Sequence, residues 1–162
     1  MSSTTFSGPV TSLNGFIGAV LSTTPVDATA ATLTVTQTAN AGCVITLNRA
    51  AGVAVTLPAA TGTGSVYAFL IATTVTSNST TIKVANTSDT MTGSAFVISD
   101  NAAAVLGYRT AATDDTVTLN GTTTGGRKGD LITITDVATN LFAVSVLSAA
   151  TGTEATPFSA TV

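Results

Sequence analysis

The sequence predicts an all-β chain, and three observations predict it. Thirty-six of the 162 residues are threonine, a β-branched residue stiff at χ1 and suited to a pleated, half-buried surface. From Thr32 onward, short runs alternate apolar and polar residues with period two, and glycine, proline or asparagine stands between them. Continuous helical periodicity is missing: Ala102 to Leu106 and Asp136 to Asn140 offer one helical turn each. About nine short strands separated by turn signals read as a single-domain β-sandwich, jelly-roll-like, or as a β-barrel.

Residues 1–28 read as an extended, irregular N-terminal arm. Gly8, Pro9, Gly15, Gly18 and Pro25 interrupt both helix and long strand. Between them Phe6, Val10, Leu13, Phe16 and Ile17 call for burial against the body or a neighbouring subunit. Residues 29–162 form the all-β domain. Leu33 to Thr36, Val44 to Leu47 and Val53 to Leu57 are its first strand-like runs. The turn Asn48 to Gly52 joins the last two as an expected hairpin, and Pro58 closes it because proline cannot donate to a central ladder. Val66 to Ala72 is apolar nearly throughout, the mark of a central strand covered on both faces. Thr81 to Val84, Ala95 to Ile98, Val105 to Tyr108, Thr116 to Leu119, Leu131 to Thr135 and Leu141 to Leu147 complete the set. An aliphatic-threonine motif recurs at Val35, Val55, Val117 and Ile132, but its irregular spacing reads as strand chemistry rather than a solenoid repeat.

Charge is scarce. Charged residues make up 8% of the chain, against about 25% in an ordinary soluble domain, and the mean hydropathy is +0.51. Such a surface is weakly protected from association, so much of it is expected to lie against copies of the chain or a larger assembly. With a net charge of −3 and Arg127-Lys128 as the one adjacent basic pair, no nucleic-acid partner is expected. Leu13 to Leu21 is apolar but broken by Gly15 and Gly18, and far shorter than the ~20 residues of a spanning helix. The N-terminus shows no basic n-region, so neither a signal peptide nor a membrane partner is expected. Cys43, alone in the chain, reads as a small buried hydrophobe.

Catalytic constellations fail one by one. The chain has no histidine, which removes Ser-His-Asp and Cys-His nucleophiles and His/Cys zinc sets within one copy. Asp100, Asp114, Asp115, Asp130 and Asp136 are the carboxylates that could gather. Asp114-Asp115 precedes a strand, where aspartate caps its own backbone, and the spacing does not follow a calcium-loop pattern; a weak calcium site there is the alternative. Gly121 to Asp130 resembles a phosphate loop only superficially, since Gly129 follows Lys128 and no helix begins there. A long hairpin or crossover loop that displays Arg127 and Lys128 is expected instead. The reading is non-enzymatic, without cofactor or metal ligands.

Several stretches are similar to small bacteriophage virion proteins. One is Phe6-Ser7-Gly8-Pro9-Val10-Thr11-Ser12-Leu13-Asn14-Gly15-Phe16. Others are Ile45 to Gly52 followed by Val55-Thr56-Leu57-Pro58-Ala59-Ala60-Thr61-Gly62-Thr63-Gly64, and Arg127-Lys128-Gly129-Asp130 with Asp136 and Thr156-Pro157-Phe158-Ser159. The chain departs from those proteins where Leu141-Phe142 stands in place of a late-strand tryptophan. The resemblance implies a capsid decoration (cement) protein on the virion surface, a homotrimer whose partners are the major capsid protein and itself. Phe6, Pro9, Val10, Leu13, Phe16, Ile17, Arg127 and Lys128 would be its contact residues. The alternative is a fibre, tail or other host-facing module that binds a surface glycan, with Tyr67 or Tyr108 stacking on sugar.

Overall fold

A computed structural model of the chain describes residues 24–100 and 104–162. The fold is all-β, as expected, with twelve strands and one helical turn among the described residues. In chain order the strands are β1 Val26–Ala28, β2 Thr32–Thr34, β3 Val44–Leu47, β4 Ala54–Thr56, β5 Val66–Ile71 and β6 Thr80–Lys83. They continue as β7 Thr90–Ile98, β8 Val105–Arg109, β9 Thr116–Leu119, β10 Leu131–Ala138, β11 Leu141–Ala149 and β12 Phe158–Ser159. The helical turn, α1 (Gln37–Asn40), starts where the Thr36 hydroxyl accepts the Ala39 N–H at 3.3 Å, an N-cap in the ordinary sense.

Two sheets face one another. The first runs β1-β3-β5-β10-β11-β7-β8 and the second β12-β9-β6-β4-β2. The first six strands alternate between them, and each lies parallel to the strand two before it: β1, β3 and β5 in one sheet, β2, β4 and β6 in the other. This half of the chain is therefore a stack of coils, which the irregular repeat spacing concealed. The connections between rungs differ in length, so no fixed period reaches the sequence.

The expected hairpin over Asn48 to Gly52 is corrected by this topology. β3 and β4 belong to different sheets, and the turn is a crossover. Its backbone is satisfied by the next rung, with Thr76 N–H donating to Ala50 O at 2.8 Å. Arg49 closes it from inside by donating to Ala51 O and Gly52 O. A hairpin would have left Leu47 and Val55 in one sheet; the crossover places them on opposite walls of a single core. Ile45, Leu47, Phe69, Ile132, Ile134 and Phe142 line the first sheet's inner side, and Val55, Ile82, Val117 and Leu119 meet them from the second, all at or below 1% exposure.

Three further expectations change. Val66–Ile71 sits centrally between β3 and β10 but is covered on its inner side only, with Val66 exposed. The segments read as single helical turns are strand: Val105 and Leu106 belong to β8, and Asp136 to Ala138 end β10. Thr139-Asn140 is the tight turn to β11, with Asn140 at φ +62°. Ala102 and Ala103 lie outside the described residues. At the other end, Val26–Ala28 pairs with β3, so the sheet begins inside the segment read as arm.

Candidate functional site

Asp136 points inward from β10 and grips the loop before β5. Its carboxylate accepts the N–H groups of Thr61, Gly62 and Thr63 at 2.7–3.2 Å and the Thr63 hydroxyl at 2.7 Å. Burial pushes this carboxyl upward, and the bonds from Thr63, Gly62 and Thr61 outweigh it, leaving it below the ordinary value. Asp115 holds the C-terminal segment through Thr161 N–H and Val162 N–H, and also accepts the Thr116 hydroxyl. Here too the bonds overcome burial, helped by the charge of Lys83, and the carboxyl lies below its ordinary value. Asp130 accepts Gly126, Arg127 and Ala149 N–H groups at 2.7–3.0 Å. Its burial prevails over those bonds and over the nearby Arg127, and the carboxyl is raised.

Asp114 accepts Ala111 N–H at 2.8 Å, the turn-capping role expected of it. Asp100 is exposed and accepts Gly152 N–H at 3.3 Å. A carboxylate not singled out by the sequence, Asp89, takes Ala60 N–H and Asn86 Nδ2. The acidic residues therefore do not converge; each ties a different loop to the sandwich. Among the described residues no three Cys, Asp or Glu side chains gather closely enough to hold a metal ion, and no pocket opens between them.

Gly121 to Asp130 is a crossover from β9 to β10, one of the two expected forms. Asn120 Oδ1 accepts Thr122 and Thr124 N–H groups, and Gly121 N–H donates to Gly125 O, so the loop is wound on itself. Lys128 is exposed and Arg127 half-buried. Both sit just before Leu131, at the end of the first sheet. Phe6, Pro9, Val10, Leu13, Phe16 and Ile17 lie outside the described residues. Tyr67 is 1% exposed, and Tyr108 packs from β8 against the core, so neither offers the open ring a sugar platform needs. Cys43 is buried, as expected.

What remains are the two outer faces, and they differ. Strand alternation places Thr32, Ala54, Thr81 and Thr118 in one cross-strand row of the second sheet, and Thr34, Thr56 and Lys83 in the next. The first sheet carries a different row. Leu70, Leu131, Leu147 and Phe96 are direct neighbours across β5, β10, β11 and β7, and Ile98 and Val105 pair beside them. Leu131 is 40% exposed, Ile98 47%, Phe96 51%, Leu147 52% and Val105 60%. This apolar band was missed in the sequence. Its signal was the loss of alternation in Ala95 to Ile98, Leu131-Ile132 and Val146-Leu147, where both sides of a strand are apolar. No protein-family model matches the chain, nor does a curated protein or a solved structure.

Proposed function

We propose that this chain is a non-enzymatic structural protein of a bacteriophage virion, a decoration (cement) protein that seats on the outer surface of the head as a homotrimer and stabilises the capsid lattice. The observation that supports this reading most is where the polar chemistry goes. Asp89, Asp115, Asp130 and Asp136 are buried and bonded to the protein's own loops, whereas the outer faces offer threonine hydroxyls and an apolar band. Surfaces of that kind suit extended contact with other subunits rather than turnover of a small molecule.

In this reading the arm residues Phe6, Pro9, Val10, Leu13, Phe16 and Ile17 meet capsid subunits, while Arg127 and Lys128 face acidic groups of the same partner. Three arms on one particle bind together, so weak single contacts sum through effective concentration. The test is to titrate purified chain onto undecorated heads and measure occupancy and the heat resistance of the heads. Saturation at fixed stoichiometry is expected, and removal of residues 1–23 should abolish it while the body stays folded. Heads that take up no protein would sink the decoration reading, and unchanged occupancy after the deletion would sink the arm's role.

A further inference from the structure

We infer that the apolar outer face of the seven-stranded sheet is the surface through which copies of this chain meet, with the β1 edge of one copy against the β8 edge of the next. This rests on the self-assembly part of the reading above and is independent of the capsid part.

Two features of the face carry it. The first is size. Roughly half of each of five large side chains is open, which amounts to about 400–500 Å² of contiguous apolar surface, at the upper end of what monomers leave uncovered. In a ring of three copies, covering it removes on the order of 1,350 Å² from water in all, shared among three contacts. The flanking Ala149, Ser145 and Thr133 positions and the paired β1 and β8 edges add to each contact.

The second is charge. Across all seven strands the charged residues are Asp27 in β1, Arg109 in β8 and Asp136 in β10, and Asp136 is turned inward. The strands of this outer face therefore carry one negative and one positive group, on opposite edge strands, and Asp27 also accepts the Thr46 hydroxyl and the Asn48 amide. Asp27 shares the cross-strand row of Thr46, Leu70, Leu131, Leu147 and Phe96, and Arg109 stands one row away. Side-by-side copies related by rotation about an axis along the strands bring the two edges together. The Arg109 side chain then spans the row offset of about 7 Å, and the apolar band faces the axis.

Three copies close such a ring. Six strand spacings make the sheet about 29 Å wide, and three sheets of that width around a three-fold axis each stand about 8 Å from it. Leucine and phenylalanine side chains reach toward the axis from three sides.

The experiment is light scattering and sedimentation on the full chain. Expected is a mass near three times 15.9 kDa. Leu147→Lys should dissociate it by at least tenfold, with Phe96→Ser as the second variant; both side chains are outside the core, and an unchanged circular dichroism spectrum checks the fold. Asp27→Lys and Arg109→Asp should each weaken association, and the double exchange should restore it. A wild-type monomer, a Leu147→Lys protein that stays assembled, or a double exchange no better than either single one overturns the proposal. So does a monomeric full chain that associates only after residues 1–23 are removed, since the arm would then own the face. A trimer that ignores phage heads leaves this inference standing and removes only the decoration reading.

Discussion

Replacing Asp136 with alanine tests how the two sheets are tied together. The carboxylate holds three consecutive amides, Thr61 to Thr63, and one hydroxyl, and the group is 3% exposed. Hydrogen bonds to a charged acceptor contribute about 1.5–3 kcal/mol each, and a buried donor left without a partner costs about 1–3 kcal/mol. Water reaches the vacated site and re-solvates part of the loop, so the sum is not additive. The expected loss for Asp136→Ala is about 3–4 kcal/mol. For a chain of this length, 1 kcal/mol moves the midpoint by about 2–4 °C, which gives a fall in Tm of roughly 6–16 °C. Asp136→Asn keeps one carbonyl oxygen as acceptor and should fall between the two. The assay is urea unfolding with thermal melts, read alongside hydrogen exchange at Thr61, Gly62 and Thr63. An Asp136→Ala protein within about 1 kcal/mol of wild type, at unchanged urea slope, would falsify the view that this aspartate holds the loop.

Two other perturbations follow from the same structure. Gly121 has φ +82°, and a Cβ there would lie 1.8 Å from Val75 O, while Gly64 has φ +72° and open space around it. Gly121→Ala should therefore cost more than about 3 kcal/mol, and Gly64→Ala only the left-handed backbone penalty of about 1 kcal/mol; equal losses in thermal melts would refute the steric argument. Acid should also destabilise the protein. Asp115 and Asp136 lie below their ordinary value of 3.8, so their contribution is present above that pH and is lost as pH falls through it toward their folded values. Asp130, raised above 3.8, acts in the opposite sense: its contribution is complete at low pH and is lost as pH rises through its folded value. Asp115→Asn with Asp136→Asn should therefore flatten the fall of Tm on acidification through 3.8, the part that these two carboxyls supply. An acid limb of undiminished steepness in the double variant would place the titrating groups elsewhere.

Threonine content, period-two runs and missing helical patterns were enough for the all-β class, because strand propensity and face alternation are local properties written in neighbouring residues. Ten of the strand positions, β2 to β11, were likewise legible, as was the capping role of Asp114, whose partner Ala111 is three residues away. The pairings were not legible. Whether Asn48 to Gly52 turns back as a hairpin or crosses to the other sheet depends on the Ala50–Thr76 bond between rungs, which no local pattern encodes. The grip of Asp136 on residues 61–63 spans more than seventy positions, so in sequence it was one carboxylate among several. The apolar band is the clearest case. Leu70, Phe96, Leu131 and Leu147 come from four separated strands, each reading alone as ordinary core. Only the order β5-β10-β11-β7 makes them one outward row, half-buried at Leu70 and exposed at the other three, because the neighbours of a residue in a sheet are set by strand pairing and not by position along the chain.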